Sequence, residues 1–243
     1  MAEGRAPLGR LLESAVQLWL RTQVERIDEL QVAIAGRNRQ ILQGYIPEVA
    51  LAARTAIYQG LHLERAALTG QNIRINLGQI LRGQPLRLLE PITASGELFL
   101  TAANLQASLA SPLLRQALTD LLALLRPAAE AGIADSLPLG VHWQAIQLAA
   151  DQLTLRGQLA TTAQTDVQLT TGLSLASPNQ LRLAPLAITG IPGTHPREFL
   201  LDLGTDVAFQ TIQLAAEGLR LHGCMQVQPE PVAPKTAATD AAL

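Results

Sequence analysis

The sequence predicts an α+β fold in which a strongly curved antiparallel sheet wraps around two long apolar helices, built from two quasi-repeated halves of helix plus strands. Three observations carry this. Apolar residues recur at helical spacing over residues 7–29 and again over 101–126, and at period two over 31–100 and 141–227. No helical pattern interrupts either run of strands, which argues against βαβ units. The twelve residues IQLAADQLTLRG, from Ile146, return as IQLAAEGLRLHG, from Ile212, with eight identities.

The first helix opens at Pro7, whose fixed φ suits a first turn. Leu8, Leu12, Val16, Trp19, Leu20, Val24 and Ile27 then recur every three or four residues. Leu11, Ala15 and Leu18 widen this apolar face, so the helix needs cover over much of its circumference. From Gln31 the period changes to two: Val32 and Ile34, Leu61 and Leu63, Ile73, Ile75 and Leu77, Leu98 and Leu100. Gly36, Gly44, Gly60, Gly70 and Gly83 punctuate these runs as turns.

Thr101 or Ser111 can cap the second helix, and Pro112 can start a fresh turn. Leu105, Leu109, Leu113, Leu114, Leu118, Leu121, Leu122 and Leu125 make a dense leucine face that Pro127 ends. Residues 128–140 read as a connector. Alternation resumes at Leu153–Leu155, Val167–Leu169, Leu173–Leu175, Leu181–Leu183 and Leu219–Leu221. Residues 228–243 are Pro, Ala, Thr and acidic types without periodicity and read as a disordered tail after one domain spanning 1–227. In each copy of the twelve-residue repeat, one strand, an acidic reversal at Asp151 or Glu217 and a second strand place the leucines on faces of one sheet. Leu68, Ile73 and Ile75 form a looser third echo.

Composition narrows the function. The chain is 48% hydrophobic and 16% charged, yet only 3% aromatic, so its apolar mass is aliphatic and poorly suited to stacking bases. With a net charge of −2 it has no electrostatic footprint for nucleic acid. Cys224 is the only cysteine, so no intrachain disulfide forms. No apolar stretch precedes Leu11 and no window reaches the length of a membrane span, so the expected location is the cytoplasm or the periphery of a membrane surface.

Motifs for catalysis are missing from the sequence. There is no G-x-S-x-G elbow, no phosphate-binding Gly-rich loop and no Lys before Lys235. His62, His142, His195 and His222 are scattered without metal-ligand spacing. The expectation is therefore a non-enzyme with no cofactor and no metal. Two apolar helices facing a long curved sheet leave either a filled core or an aliphatic groove that suits acyl chains.

The stretches ELQVAIAG, ILQGYIPEVALAARTAIYQGLHLERAALTG and IRINLGQILRGQPLRLLEPITASGELFLTAANL, followed by L-x-S-P-L-L, resemble the LmeA-like phospholipid-binding family. The carriers are Gly44, Gly60, Leu61 and Leu63, then Gly83 before the run that ends at Pro91. Leu98, Thr101, Asn104 and the Ser111–Pro112 pair complete them. The resemblance implies a tubular lipid-binding (TULIP-like) fold and phospholipid binding, and supplies no catalytic residue.

The expected function is non-catalytic binding, with transfer a further step, of phospholipid or another acyl lipid. Val16, Trp19, Leu20, Leu109, Leu113, Leu114, Leu118 and Leu121 are the expected groove lining. Arg37, Arg39, Arg82 and Arg87, near turns, are the expected headgroup or membrane contacts. The competing expectation is a structural or protein-interaction module with a packed core and no lipid.

Overall fold

A computed structural model describes residues 7–125, 140–160, 165–191 and 196–229. The connector, His195 and most of the expected tail lie outside these residues. Strands dominate, in two antiparallel sheets of six. The first sheet holds β1 (Arg26–Ala35), β2 (Tyr45–Tyr58), β3 (Leu61–Arg74), β4 (Ile92–Thr101), β12 (Gly218–Val227) and β11 (Val207–Ala215), in that spatial order. The second runs β10 (Arg197–Asp202), β9 (Gln180–Thr189), β7 (Asp166–Thr171), β6 (Gln152–Leu159), β5 (Val141–Ala149), with β8 (Leu173–Ser177) also paired to β9.

The two long helices are corrected to short ones. α1 covers Pro7–Gln23, not 7–29. Residues 26–29 instead pair with β2, Arg26 opposite Ile57 and Glu29 opposite Arg54. The cause is legible afterwards: Thr22, Val24 and Ile27 are β-branched, and Arg26 meets Asp28 at 2.9 Å across strand spacing. The second helix is two pieces, α4 (Ala102–Ser108) and α5 (Pro112–Leu125), because both expected caps operate. Thr101 ends β4, and its hydroxyl accepts from Asn104 N–H at 3.1 Å while Asn104 Oδ1 accepts from Thr101 N–H at 3.0 Å. Ser111 then caps α5 by accepting from Leu114 N–H at 3.1 Å. Two shorter helices, α2 (Asn38–Leu42) and α3 (Leu77–Ile80), interrupt the first run of strands.

Two quasi-repeated halves are not found either, since β11 and β12 return to complete the sheet begun by β1–β4. What repeats is a hairpin. In β5–β6, Leu148 faces Leu153 and Ile146 faces Leu155; in β11–β12, Leu214 faces Leu219 and Ile212 faces Leu221. The copies therefore sit in different sheets. They extend further back than twelve residues, to Val141-x-Trp143-Gln144 and Val207-x-Phe209-Gln210, and each has its register shift at that Gln. The third echo is no hairpin, because Leu68 and Ile73 share one strand.

One core joins the sheets. Leu105 and Leu109, with Leu118 and Leu121 of α5, pack with Leu100, Ile146, Leu155, Leu169, Leu183 and Leu186. A second core gathers Leu12 of α1 with Ile41, Ile46, Ile73, Ile75 and Leu77 at the other end of the first sheet. Between the sheets α4 acts as a tie. Ser108 Oγ accepts from His62 N–H of β3 at 2.8 Å and donates to Asn104 O at 2.7 Å. On the other side, Gln106 donates to Gln144 O at 2.9 Å and accepts from Ile146 N–H at 2.8 Å, so its amide serves edge strand β5 as a neighbouring strand would.

Candidate functional site

The register of β1–β3 builds an apolar row. Val32 faces Leu51 and Leu51 faces Leu68, so these three side chains stand on one face of the sheet. Leu30, two residues before Val32, stands on the same face beside Ala53 and Ala66. Val32, Ala53 and Ala66 are buried, but Leu30, Leu51 and Leu68 are only half-buried. Leucines left half-covered over small alanines leave a shallow furrow instead of a filled layer. An open groove of about 620 Å³ lies here, lined by these leucines and Val32, by the alternating positions Gln31, Ala33, Ala50, Ala52, Ala67 and Thr69, and by Gln17 of α1. Ligand pockets fall in the same range, roughly 300–1,000 Å³.

The helix beside the groove is held by both its faces. Leu12 packs into the second core, and Glu13 Oε1 accepts from Ile34 N–H of edge strand β1 at 3.3 Å. Val16 is buried, and Trp19 and Leu20 are half-buried on the same helix. Leu109, Leu114, Leu118 and Leu121 lie in the core that joins the two sheets, far along the chain from the α1 set, and Leu113 is 42% exposed. Seven of the eight expected lining residues thus fall into two groups, three on the helix that flanks the groove and four in the packed core, and exposed Leu113 belongs to neither.

The sequence reading singles out Leu68 only in the third echo, and Leu30 and Leu51 not at all. Their period-two signal was present in VALAA and RAALT, but alanines on the opposite face lowered the contrast between the two faces.

Arg37, Arg39, Arg82 and Arg87 all stand at one end of the first sheet, Arg37 just before α2, Arg39 on it, and the other two on the loop that follows α3. All four are exposed. That end also carries a second, smaller opening of about 420 Å³, lined by Leu42, Gly44, Asn76, Leu77, Arg82 and Leu89 among others. Asn76 organises the loop beneath it: its Oδ1 accepts from Arg87 N–H at 2.8 Å, and its Nδ2 donates to Gln79 Oε1 at 2.9 Å and Pro85 O at 3.0 Å.

No group of three or more metal-ligating side chains occurs among the described residues. None of the described helices is long and apolar enough to cross a membrane.

The glycine and proline positions that marked the resemblance have physical work in this fold. Gly60 has φ +75°, and a Cβ there would lie 3.0 Å from Ser111 Cβ and 3.5 Å from Pro112 Cδ, so the β2–β3 turn and the Ser111–Pro112 corner are fitted to each other. At Gly44, with φ +78°, a Cβ would lie 2.7 Å from Ile75 O.

No curated protein and no solved structure matches the chain. The model of the LmeA-like phospholipid-binding family does match, over residues 4–231, and the chain belongs to that family.

Proposed function

We propose that the protein holds a phospholipid or similar acyl lipid, chemically unchanged, with its acyl part in the groove across β1–β3. The observation that carries this reading is the row of half-covered leucines, Leu30, Leu51 and Leu68, around buried Val32 in a chain of a phospholipid-binding family. Each methylene withdrawn from water there contributes about 0.8 kcal/mol. Association itself costs about 4–15 kcal/mol before any surplus appears. Affinity should therefore depend on chain length more than on headgroup chemistry. Val16, Trp19 and Leu20 would form the helical wall of the groove. Arg37, Arg39, Arg82 and Arg87, which do not line the groove, would meet phosphates of the membrane surface, for which a guanidinium offers a bidentate fork. An open groove also admits a lipid sideways, as transfer between membranes would require.

Native mass spectrometry of the purified protein, followed by organic extraction, tests the reading. Co-purifying phospholipid near one per chain is expected. A lipid-free protein that also refuses labelled phospholipid would sink it and leave the protein-interaction module. The paired variant Leu51→Asn with Leu68→Asn should keep its circular dichroism spectrum and lose bound lipid about tenfold or more.

A further inference from the structure

Among the described residues, three of the most exposed leucines occur together. Leu42, Leu81 and Leu89 are 57%, 65% and 58% exposed, on the end of the first sheet that carries α2, α3 and the following loop. Leu42 and Leu89 line the same opening with Arg82. Each leucine has an arginine beside it: Arg39 precedes Leu42 by three residues on α2, Arg82 follows Leu81, and Arg87 lies two before Leu89. The short helices are pinned from below, since Ile41 and Leu77 are core residues and Ile80, Leu86 and Leu88 pack against them. Their neighbours are therefore held outward in water by the fold.

Charge is one-sided here. Segments 36–47 and 75–89 contain Arg37, Arg39, Arg82 and Arg87 and no Asp or Glu. Several arginines elsewhere pair with acids: Arg26 with Asp28, Arg54 with Glu29, Arg182 with Glu198 and Arg220 with Glu97. The acids nearest this end are engaged, Glu90 with Arg74 at 3.4 Å, Glu48 with Gln71 at 3.3 Å and Glu13 with Ile34 N–H at 3.3 Å. Among the described residues none of the four arginines has an acidic partner within ion-pair distance.

The structure assigns this end as a membrane-docking tip, with Leu42, Leu81 and Leu89 entering the headgroup–acyl boundary of an anionic bilayer while the four arginines meet lipid phosphates around them. The choice of a bilayer rests on the lipid-binding reading, and the charge supports it. Protruding apolar side chains ringed by cations match a surface that is negative outside and apolar beneath. Neither signal suffices alone, because a few leucines bury little area and exposed charges are screened by salt.

Flotation with phosphatidylcholine vesicles, with and without phosphatidylglycerol, tests the assignment. The wild type should bind the anionic vesicles, and binding should weaken as salt rises. The variant Arg37→Gln, Arg39→Gln, Arg82→Gln, Arg87→Gln should lose about a hundredfold or more in vesicle affinity. The variant Leu42→Ser, Leu81→Ser, Leu89→Ser should lose about tenfold or more. Both should keep wild-type melting and still take up phospholipid dispersed in detergent. The Leu51→Asn, Leu68→Asn variant should do the reverse, keeping vesicle binding while losing the bound lipid, so tip and groove fail separately. Equal binding to both vesicle types overturns the assignment, as does unchanged binding in both tip variants. A concentration-dependent dimer that both variants abolish, with no vesicle binding, would show a contact between copies instead.

Discussion

Gly157 and Gly223 end the two copies of the repeat, and each lies opposite the other strand's register shift. A Cβ on Gly157 would fall 2.5 Å from His142 O and 2.9 Å from Trp143 Cα; on Gly223 it would fall 2.5 Å from Ala208 O and 2.8 Å from Phe209 Cα. The obstacle is backbone, which cannot swing aside as a side chain can. Gly157→Ala and Gly223→Ala are each expected to cost about 1–3 kcal/mol, read from urea denaturation. Gly83 supplies the contrast. It has φ +79° with nothing within 4 Å of a new Cβ, so Gly83→Ala should cost only the left-handed backbone term, about 1–2 kcal/mol. At this scale the sequence named the glycines as turns, and of the five positions it marked between 36 and 83 one, Gly70, instead lies within β3. It had no means of seeing the bulge, because a register shift is a relation between two strands.

Helix α4 shows what an element of seven residues can organise. Ser108 is fully buried and holds the His62 N–H of β3. Ser108→Ala would strand that donor, at about 1–3 kcal/mol, and thermal melting should show the loss. Gln106→Ala should free the edge of β5 at Gln144 and Ile146, with faster amide exchange at Ile146 as the specific sign. Along α5, Leu118→Ala should cost about 2–5 kcal/mol because its side chain is core, whereas Leu113→Ala, on the exposed side, should stay within about 0.5 kcal/mol. The strands at Val32–Ile34, Leu98–Leu100, Leu153–Leu155, Val167–Leu169 and Leu181–Leu183 were legible because their alternation is strong. The end of α1 was not. Val24 and Ile27 satisfy a helical face as well as a strand, and pairing with β2 decides between them. α2 and α3 are too short for periodicity to register, and they carry the residues on which the docking tip depends.

Across the whole molecule, aliphatic composition correctly signalled burial on a large scale, but it could not say which leucines would be covered. Leu42, Leu51, Leu68, Leu81 and Leu89 read in sequence like any core leucine, and only the assembled sheet leaves them partly or largely bare. Groove and tip belong to the same first sheet. If both operate, a lipid leaving a bilayer at α2 and α3 has a short path along β1–β3 to the leucine row. Phospholipid uptake from anionic vesicles should then fall in the tip variants even though uptake from detergent does not, a difference that fluorescence transfer assays resolve.

The joining of the two sheets has a consequence for how the chain is made. β12 pairs with β4 along its whole length, from Gly218 opposite Thr101 to Val227 opposite Ile92. The repeat's two copies touch where Asp151 N–H donates to Leu214 O at 3.3 Å, and Phe209 N–H donates to Pro178 O at 2.6 Å beside them. Every strand of the second sheet is thus synthesised before the partner of β4 emerges. A nascent chain must carry β4 as an unpaired edge throughout that interval, at the slow folding rates of long-range pairing. Ribosome-bound intermediates stalled before Val207 should accordingly be the most aggregation-prone, and the last hairpin is the piece that retires that hazard.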